Sequence, residues 1–190
     1  MPKTVAKKKS DHSKPLTELD WIYAARRMLT EHGISGVRIE PLARHLGVSK
    51  GSFYWHFRDR RALLDAMLAD WRQRAAVAIV EGLEHSGRSP REQLHAWFRL
   101  PFERSPIGID QDFAMRLWGR VDPKAKAALA EMDEFRLRYS ARLIEGLGVS
   151  PKEARARAIL AYSYSRMALA LPVGGDDPVH DLIEKILFNK

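Results

Sequence analysis

The chain has 190 residues, of which 45% are apolar and none is cysteine. That is enough apolar mass for one large domain or two small ones, and it excludes disulfides and thiolate metal sites. The net charge is +8 and lopsided: residues 1–75 hold 15 Lys/Arg against 8 Asp/Glu, whereas residues 76–190 hold 17 against 16. Such asymmetry fits a polyanion partner, nucleic acid or an anionic membrane surface. A solubilising tail explains it as well, because Lys3, Lys7, Lys8, Lys9 and Lys14 supply five of the charges. The opening MPKTVAKKKSDHSK lacks the apolar stretch of a secretory signal, and no apolar run reaches the length of a membrane span. A soluble chain in a reducing cytoplasm is expected, with no membrane partner.

Residues 1–15 read as a disordered basic arm ending at Pro15. Leu16, Leu19, Ile22, Tyr23 and Leu29 then carry a first helix, with Thr17 or Asp20 near its start and Gly33 as a stop. Ile39 to His45 is a short second helix closed by Gly47, and Ser49 opens a third. Asp59 is a good cap for a fourth helix over 60–84, striped by Leu63, Leu64, Met67, Leu68 and Trp71. Further on, Ser89-Pro90-Arg91-Glu92 and Ser150-Pro151-Lys152-Glu153 match a capping box with proline first. Asp122-Pro123 and Asp177-Pro178 place a capping acid before proline. Helices are expected over 90–104, 110–119, 123–146, 151–171 and 178–188. The fold class is all-α, with about nine helices: a three-helix helix-turn-helix head over 16–59, then a helical body over 60–190.

The third helix carries the unusual signal, SKGSFYWHF. At about 100° per residue, Phe53 and Phe57 share one face and Trp55 falls opposite. The largest ring of the segment therefore points away from the core. Lys50 brings charge, Ser49 and Ser52 bring hydroxyls, and Gly51 permits close approach of a backbone. The preceding Ile39, Leu42, Leu46 and Val48 hold two short helices together, Ala43 is small where they cross, and Gly47 suits a left-handed turn. The pattern is a helix-turn-helix, with its outward face aimed at a major groove.

The run GISGVRIEPLARHLGVSKGSFYWHFRDRRALLDAML resembles the DNA-binding head of the TetR family of regulators, over about residues 16–70. The resemblance implies that Lys50, Gly51, Ser52, Tyr54 and His56 approach DNA, that Trp55 packs on its backbone, and that Arg60 binds phosphate. Ser49, Arg38 and Glu40 complete the candidate DNA-binding set. Two departures stand out. Val37-Arg38-Ile39 replaces the usual Thr or Ser at the start of the second helix. Glu40 stands where the resemblance implies a basic base-reading residue. A carboxylate there does not bind phosphate and suits cytosine N4 instead.

For the body, the resemblance implies a homodimer that binds a small-molecule effector. Val179, Leu182, Ile183, Ile186 and Leu187 form one stripe on the last helix. Ala154, Ala158, Ala161, Ser165 and Ala168 make the preceding helix thin. The dimer-interface candidates are Ala158, Tyr162, Ser165, Val179, Leu182, Ile183 and Ile186. The effector candidates are His95, Trp97, Phe98, Phe102, Phe113, Met115, Trp118, Tyr139 and Tyr162, with 101–108 as a gating loop. Arg99, Arg116 and Arg120 lie beside them and suit surface salt bridges or an acidic ligand.

An enzyme is not expected: HExxH, the P-loop and the Gly-x-Ser-x-Gly elbow are missing, and the histidines do not cluster at metal-ligand spacing. No cofactor or metal is expected either. The expected function is a sequence-specific transcriptional regulator, a repressor released from an inverted-repeat DNA operator by a small-molecule inducer. An architectural DNA protein, binding without sequence preference, is the rival.

Overall fold

The computed structural model describes residues 15–74, 78–103, 106–167 and 177–189, with the backbone alone over 102–103 and 106–110. Among them every regular element is a helix: α1 (Glu18–Gly36), α2 (Ile39–His45), α3 (Lys50–Tyr54), α4 (Arg60–Arg72), α5 (Ala78–Glu84), α6 (Pro90–Glu103), α7 (Pro106–Gly119), α8 (Pro123–Glu145), α9 (Pro151–Met167) and α10 (Val179–Phe188). The all-α class holds, with ten described helices where about nine were expected. The expected 60–84 helix is described as α4 and α5, with 75–77 outside the described residues. Residues 1–14 of the basic arm and Ala168 also lie outside them.

Side-chain caps are described at five of the ten starts. Thr17 and Asp20 close a reciprocal box at α1, with Thr17 N donating to Asp20 Oδ2 at 2.7 Å. Asp59 accepts from Ala62 N at 2.8 Å, Ser89 pairs with Glu92, and Asp122 accepts from Lys124 N and Ala125 N. At α9 only half of the expected box forms: Ser150 Oγ accepts from Glu153 N, while the Glu153 carboxylate takes Arg157. A guanidinium one turn along outbids a backbone N–H for the same carboxylate.

Two helix boundaries differ from expectation. α7 begins at Pro106 rather than 110, and Pro101 to Glu103 finish α6, so 101–108 is not one loop. Residues 104–105 lie outside the described residues. Proline there reads as a breaker, yet proline at a first helical position costs no hydrogen bond. Gly33, expected to end α1, takes φ 65° and kinks it, and one more turn follows to Gly36.

The core of the head does not stop at residue 59. Trp21, Leu29, Leu42, Phe53 and Phe57 pack in one cluster with Leu64 and Trp71 of α4, Trp118 of α7 and Ala128 of α8. Ion pairs fix the same junction: Arg61 meets Asp122, and Lys124 Nζ meets Asp65 at 2.7 Å, joining the start of α4 to the start of α8. A second cluster, including Leu94, Phe98, Leu143, Ala158 and Phe188, fills the far end of the body.

Candidate nucleic-acid interface

Hydrophobic sequence period places the rings of the third helix on opposite sides, and the structure does the same. Phe53 is fully buried, its ring edge-on to Trp21 at 5.3 Å, and Phe57 lies beside it. Trp55 is 88% exposed, and Tyr54 is exposed next to it. The helix itself is shorter than expected. α3 ends at Tyr54, Trp55 caps it, and His56 lies beyond it with its ring 6.4 Å from Trp21. The cause is a tight turn: His56 N and Phe57 N both donate to Phe53 O, at 3.0 and 2.9 Å, which swings Phe57 into the core.

The turn between α2 and α3 is built as the sequence suggests. Gly47 takes φ 70°, which a side chain would strain, and Val48 N donates to Ala43 O at 2.9 Å. Ser49 caps α3 by position, without a side-chain bond. Gly51 has ordinary backbone angles, and a Cβ there would meet only Ser49 Oγ, at 3.6 Å. The fold therefore does not require glycine at 51, and the space it leaves opens outward.

Lys50 and Glu40, both exposed, meet each other. Lys50 Nζ donates to Glu40 Oε1 at 2.8 Å, joining α3 to α2. That bond holds the Glu40 carboxyl below its ordinary pKa and lifts the Lys50 ammonium. Arg38 is exposed at the start of α2. Arg60 is half-buried: its Nε donates to Val37 O at 2.5 Å and a terminal nitrogen to Ile34 O at 2.7 Å. It thus ties the start of α4 to two carbonyls where α1 ends, one of which, Ile34 O, also accepts from Val37 N at 3.3 Å. Arg60→Ala is expected to cost about 1.5–3 kcal/mol, the range for hydrogen bonds that involve a charged group. Urea unfolding checks it, and an unchanged midpoint would count against this strut.

Residues 22–67 match the family model for bacterial regulatory proteins of the tetR family. Tetracycline repressor protein class A from transposon 1721 of Escherichia coli is 50% identical over 65 residues, covering 34% of this chain and 27% of that protein. The HTH-type transcriptional repressor Rv1474c of Mycobacterium tuberculosis is 40% identical over 125 residues, covering 63% of this chain and 65% of that protein. A TetR-family regulator structure from Rhodococcus sp. superposes with a TM-score of 0.67 at 22% identity, over 90% of this chain and 96% of that one. Residues 22–67 are a DNA-binding head of the tetR family. The chain spans about a quarter of the tetracycline repressor's length and under two thirds of the mycobacterial repressor's.

In the body, the described effector candidates lie in different surroundings. His95 is exposed and pairs with Glu184 at 2.7 Å. Trp97 Nε1 donates to Ser140 Oγ, and its ring meets Tyr139 edge-on. Phe98 stacks on Tyr164 inside the far core, Met115 and Trp118 are buried in the core shared with the head, and Phe113 faces out. The Phe102 side chain lies outside the described residues.

Only Tyr162 joins a polar centre, one that the sequence did not show. Its hydroxyl accepts from Arg116 at 2.9 Å and Arg136 at 3.1 Å and donates to Asp133. The dimer candidates also divide. Ala158 and Ser165 are buried inside the subunit, because α9 turns its small face to its own core. α9 instead exposes Ile159, Leu160 and Met167, and α10 exposes Leu182 and Ile186. Val179 and Ile183 are half-buried. Arg58, passed over in the sequence, is exposed at the end of the YWHF run.

Proposed function

We propose that this chain is a sequence-specific DNA-binding transcriptional regulator, a repressor that a small molecule releases from an inverted-repeat operator. The observation that carries this is the two-sided third helix: Phe53 sealed in the core while Trp55 and Tyr54 stand in solvent beside Lys50 and an open Gly51. A soluble surface carries such rings at a cost unless a partner covers them. Lys50 and Glu40 would read base edges, Ser49, Ser52 and Arg38 would hold backbone, and Trp55, Tyr54 and His56 would cover sugar and phosphate. Arg60 has donors left for a phosphate. The repressor titles of both relatives support the direction of control.

In this reading 16–59 is the DNA-binding head, 60–190 the effector and dimerisation body, and the basic arm precedes them. The protein works in the cytoplasm as a homodimer, without catalysis. Two heads enter successive major grooves about 34–36 Å apart. An effector favouring a wider head spacing shifts the population away from the operator, through α4. The junction of α1, α4, α7 and α8 makes each head follow its own α4. Selection of bound DNA from a random pool tests the reading: an inverted repeat is expected, and affinity uniform across sequences would replace it with the architectural alternative.

The ion pair between Lys50 and Glu40 makes a separate prediction. Glu40→Gln removes a negative charge from the DNA side and releases Lys50. Binding to unrelated DNA should tighten, and the base preference at one position should change by about 1–3 kcal/mol. Binding isotherms over the four bases at each position check this. An unaltered preference would take Glu40 and its partner off the base-reading list.

A further inference from the structure

Between the head and the body lies a cavity of about 280 Å³. Ile34 and Ser35 line it from the last turn of α1, Arg60 and Leu64 from the start of α4, and Trp118 and Val121 from the end of α7 and the turn after it. Leu64 and Trp118 are buried in the core that head and body share, whereas Val121 is exposed. Leu117, one turn earlier on α7, is exposed as well. The volume is close to the lower end of the range that small-molecule sites occupy, about 300–1,000 Å³.

Two donors of this wall have no acceptor. Trp118 Nε1 is buried and has no hydrogen-bond partner among the described residues. An indole nitrogen only donates, and a buried donor left unmet destabilises the fold. Arg60 uses Nε and one terminal nitrogen on Val37 O and Ile34 O, which leaves its other terminal nitrogen unbonded. No carboxylate lies within ion-pair distance of Arg60 among the described residues. The nearby acceptors are already engaged. Asp122, also on the wall, takes Arg61 on one oxygen and the backbone N–H groups of Lys124 and Ala125 on the other, and Asp65 takes Arg61 and Lys124.

We propose that this junction cavity binds a small carboxylic acid, its carboxylate held by Arg60 and the Trp118 indole N–H, and that the bound acid competes with DNA. The class follows from the wall. A guanidinium met only by carbonyl oxygens pairs best with a planar anion. The indole N–H is a second donor for the same carboxylate. Ile34, Leu64 and Val121 supply apolar surface for the rest of the molecule. Because the wall is drawn from α1 and α4 on one side and from α7 and its following turn on the other, the ligand bridges head and body. It also takes the Arg60 donors that an operator phosphate would use. That competition rests on the DNA-binding reading above, whereas the cavity and its unmet donors do not.

The test uses the full chain with benzoate and hexanoate and their neutral amides, read by thermal melting and by the indole N–H resonances of the five tryptophans. At least one acid should raise the melting temperature with concentration, as a ligand of the native state must. The same acid should move the assigned Trp118 indole resonance downfield, the shift that a new hydrogen bond gives. The amides should do neither. Val121→Glu, at an exposed position, should melt near the parent temperature without ligand and lose the response, because a carboxylate at the cavity repels the acid. No acid binding, amides matching acids, or binding that leaves the Trp118 resonance in place would each overturn the proposal. So would a folded Val121→Glu that binds the acid as the parent does; should that variant unfold, the Trp118 resonance alone decides. Operator binding is measured in parallel and should weaken as the acid is added. An acid that moves Trp118 but leaves operator affinity unchanged would overturn the competition. If an acid moves Trp118 and the chain binds no DNA, the site stands and the regulator reading falls. If an inverted repeat is bound and no acid moves Trp118, this proposal falls alone.

Discussion

Phe53→Ala should cost the head about 3–5 kcal/mol, the range for emptying a fully buried phenyl site, whereas Trp55→Ala should cost within about 0.5 kcal/mol. The two rings sit two residues apart, yet their surroundings differ completely. Phe53 is closed in by Trp21, Phe57 and Tyr54, with ring centres 5.3 to 5.5 Å away. Its loss opens a cavity where α1, α2 and α3 meet, and that core continues into α4 and α7. The whole junction should therefore loosen with it. Trp55 touches little, being 88% exposed, so its removal changes the free protein hardly at all. Its effect belongs to the complex, where operator affinity should fall at least tenfold at unchanged folded fraction. Melting curves and operator binding on both variants separate the two. If Trp55→Ala melts as early as Phe53→Ala, or binds the operator as the parent does, the ring has neither the exposure nor the partner assigned to it.

The head was legible because its signals are local. The spacing of Phe53, Trp55 and Phe57 needs only a helix period to place each ring, and Gly47 needs only its left-handed turn. Caps such as Asp59 and Asp122 were legible for the same reason: a cap and its N–H lie two or three residues apart. What stayed hidden depends on distant partners. Arg60 reads as a phosphate ligand from its neighbours, but Val37 and Ile34, 23 and 26 residues away, take two of its donors. The Lys50 and Glu40 pair spans a turn that no periodicity crosses. In the body, Asp112, Arg136 and Tyr162 come from three helices, and each alone looks like an ordinary side chain of its own helix. Aromatic residues do not by themselves separate a cavity lining from packing, because large apolar rings are buried wherever a core has room. Small residues leave a similar ambiguity. Ala158 and Ser165 allow close approach, but the helix approached is one of the same subunit.

That placement narrows the surface on which the proposed homodimer would form. With the alanine face of α9 turned inward, the surface left for a partner is Leu160 and Met167 of α9 with Leu182 and Ile186 of α10. Leu160 is 60% exposed and Ile186 68%. The opposite side of α10 is fully engaged: His180 is buried with its ring nitrogen 2.7 Å from the Tyr164 hydroxyl, and Phe188 meets Phe98 edge-on. The helix is thus apolar on both faces while one subunit covers only one of them, which is what a helix at a two-fold interface requires. Leu182→Glu combined with Ile186→Glu should leave the isolated subunit folded, since both side chains already face water. Facing their own copies across a two-fold axis, the four carboxylates would be desolvated together, so the dimer should be lost. With two heads no longer linked, affinity for an inverted repeat should drop by roughly 100-fold or more, the gain that linkage gives. Leu187→Glu supplies the contrast: it buries a charge inside the subunit and should unfold it rather than split a dimer. Sedimentation at micromolar concentration, with far-ultraviolet dichroism for folding, reads both outcomes. A double variant that still sediments as a dimer would remove this face as the interface, and one that unfolds would show that Leu182 and Ile186 support the subunit itself.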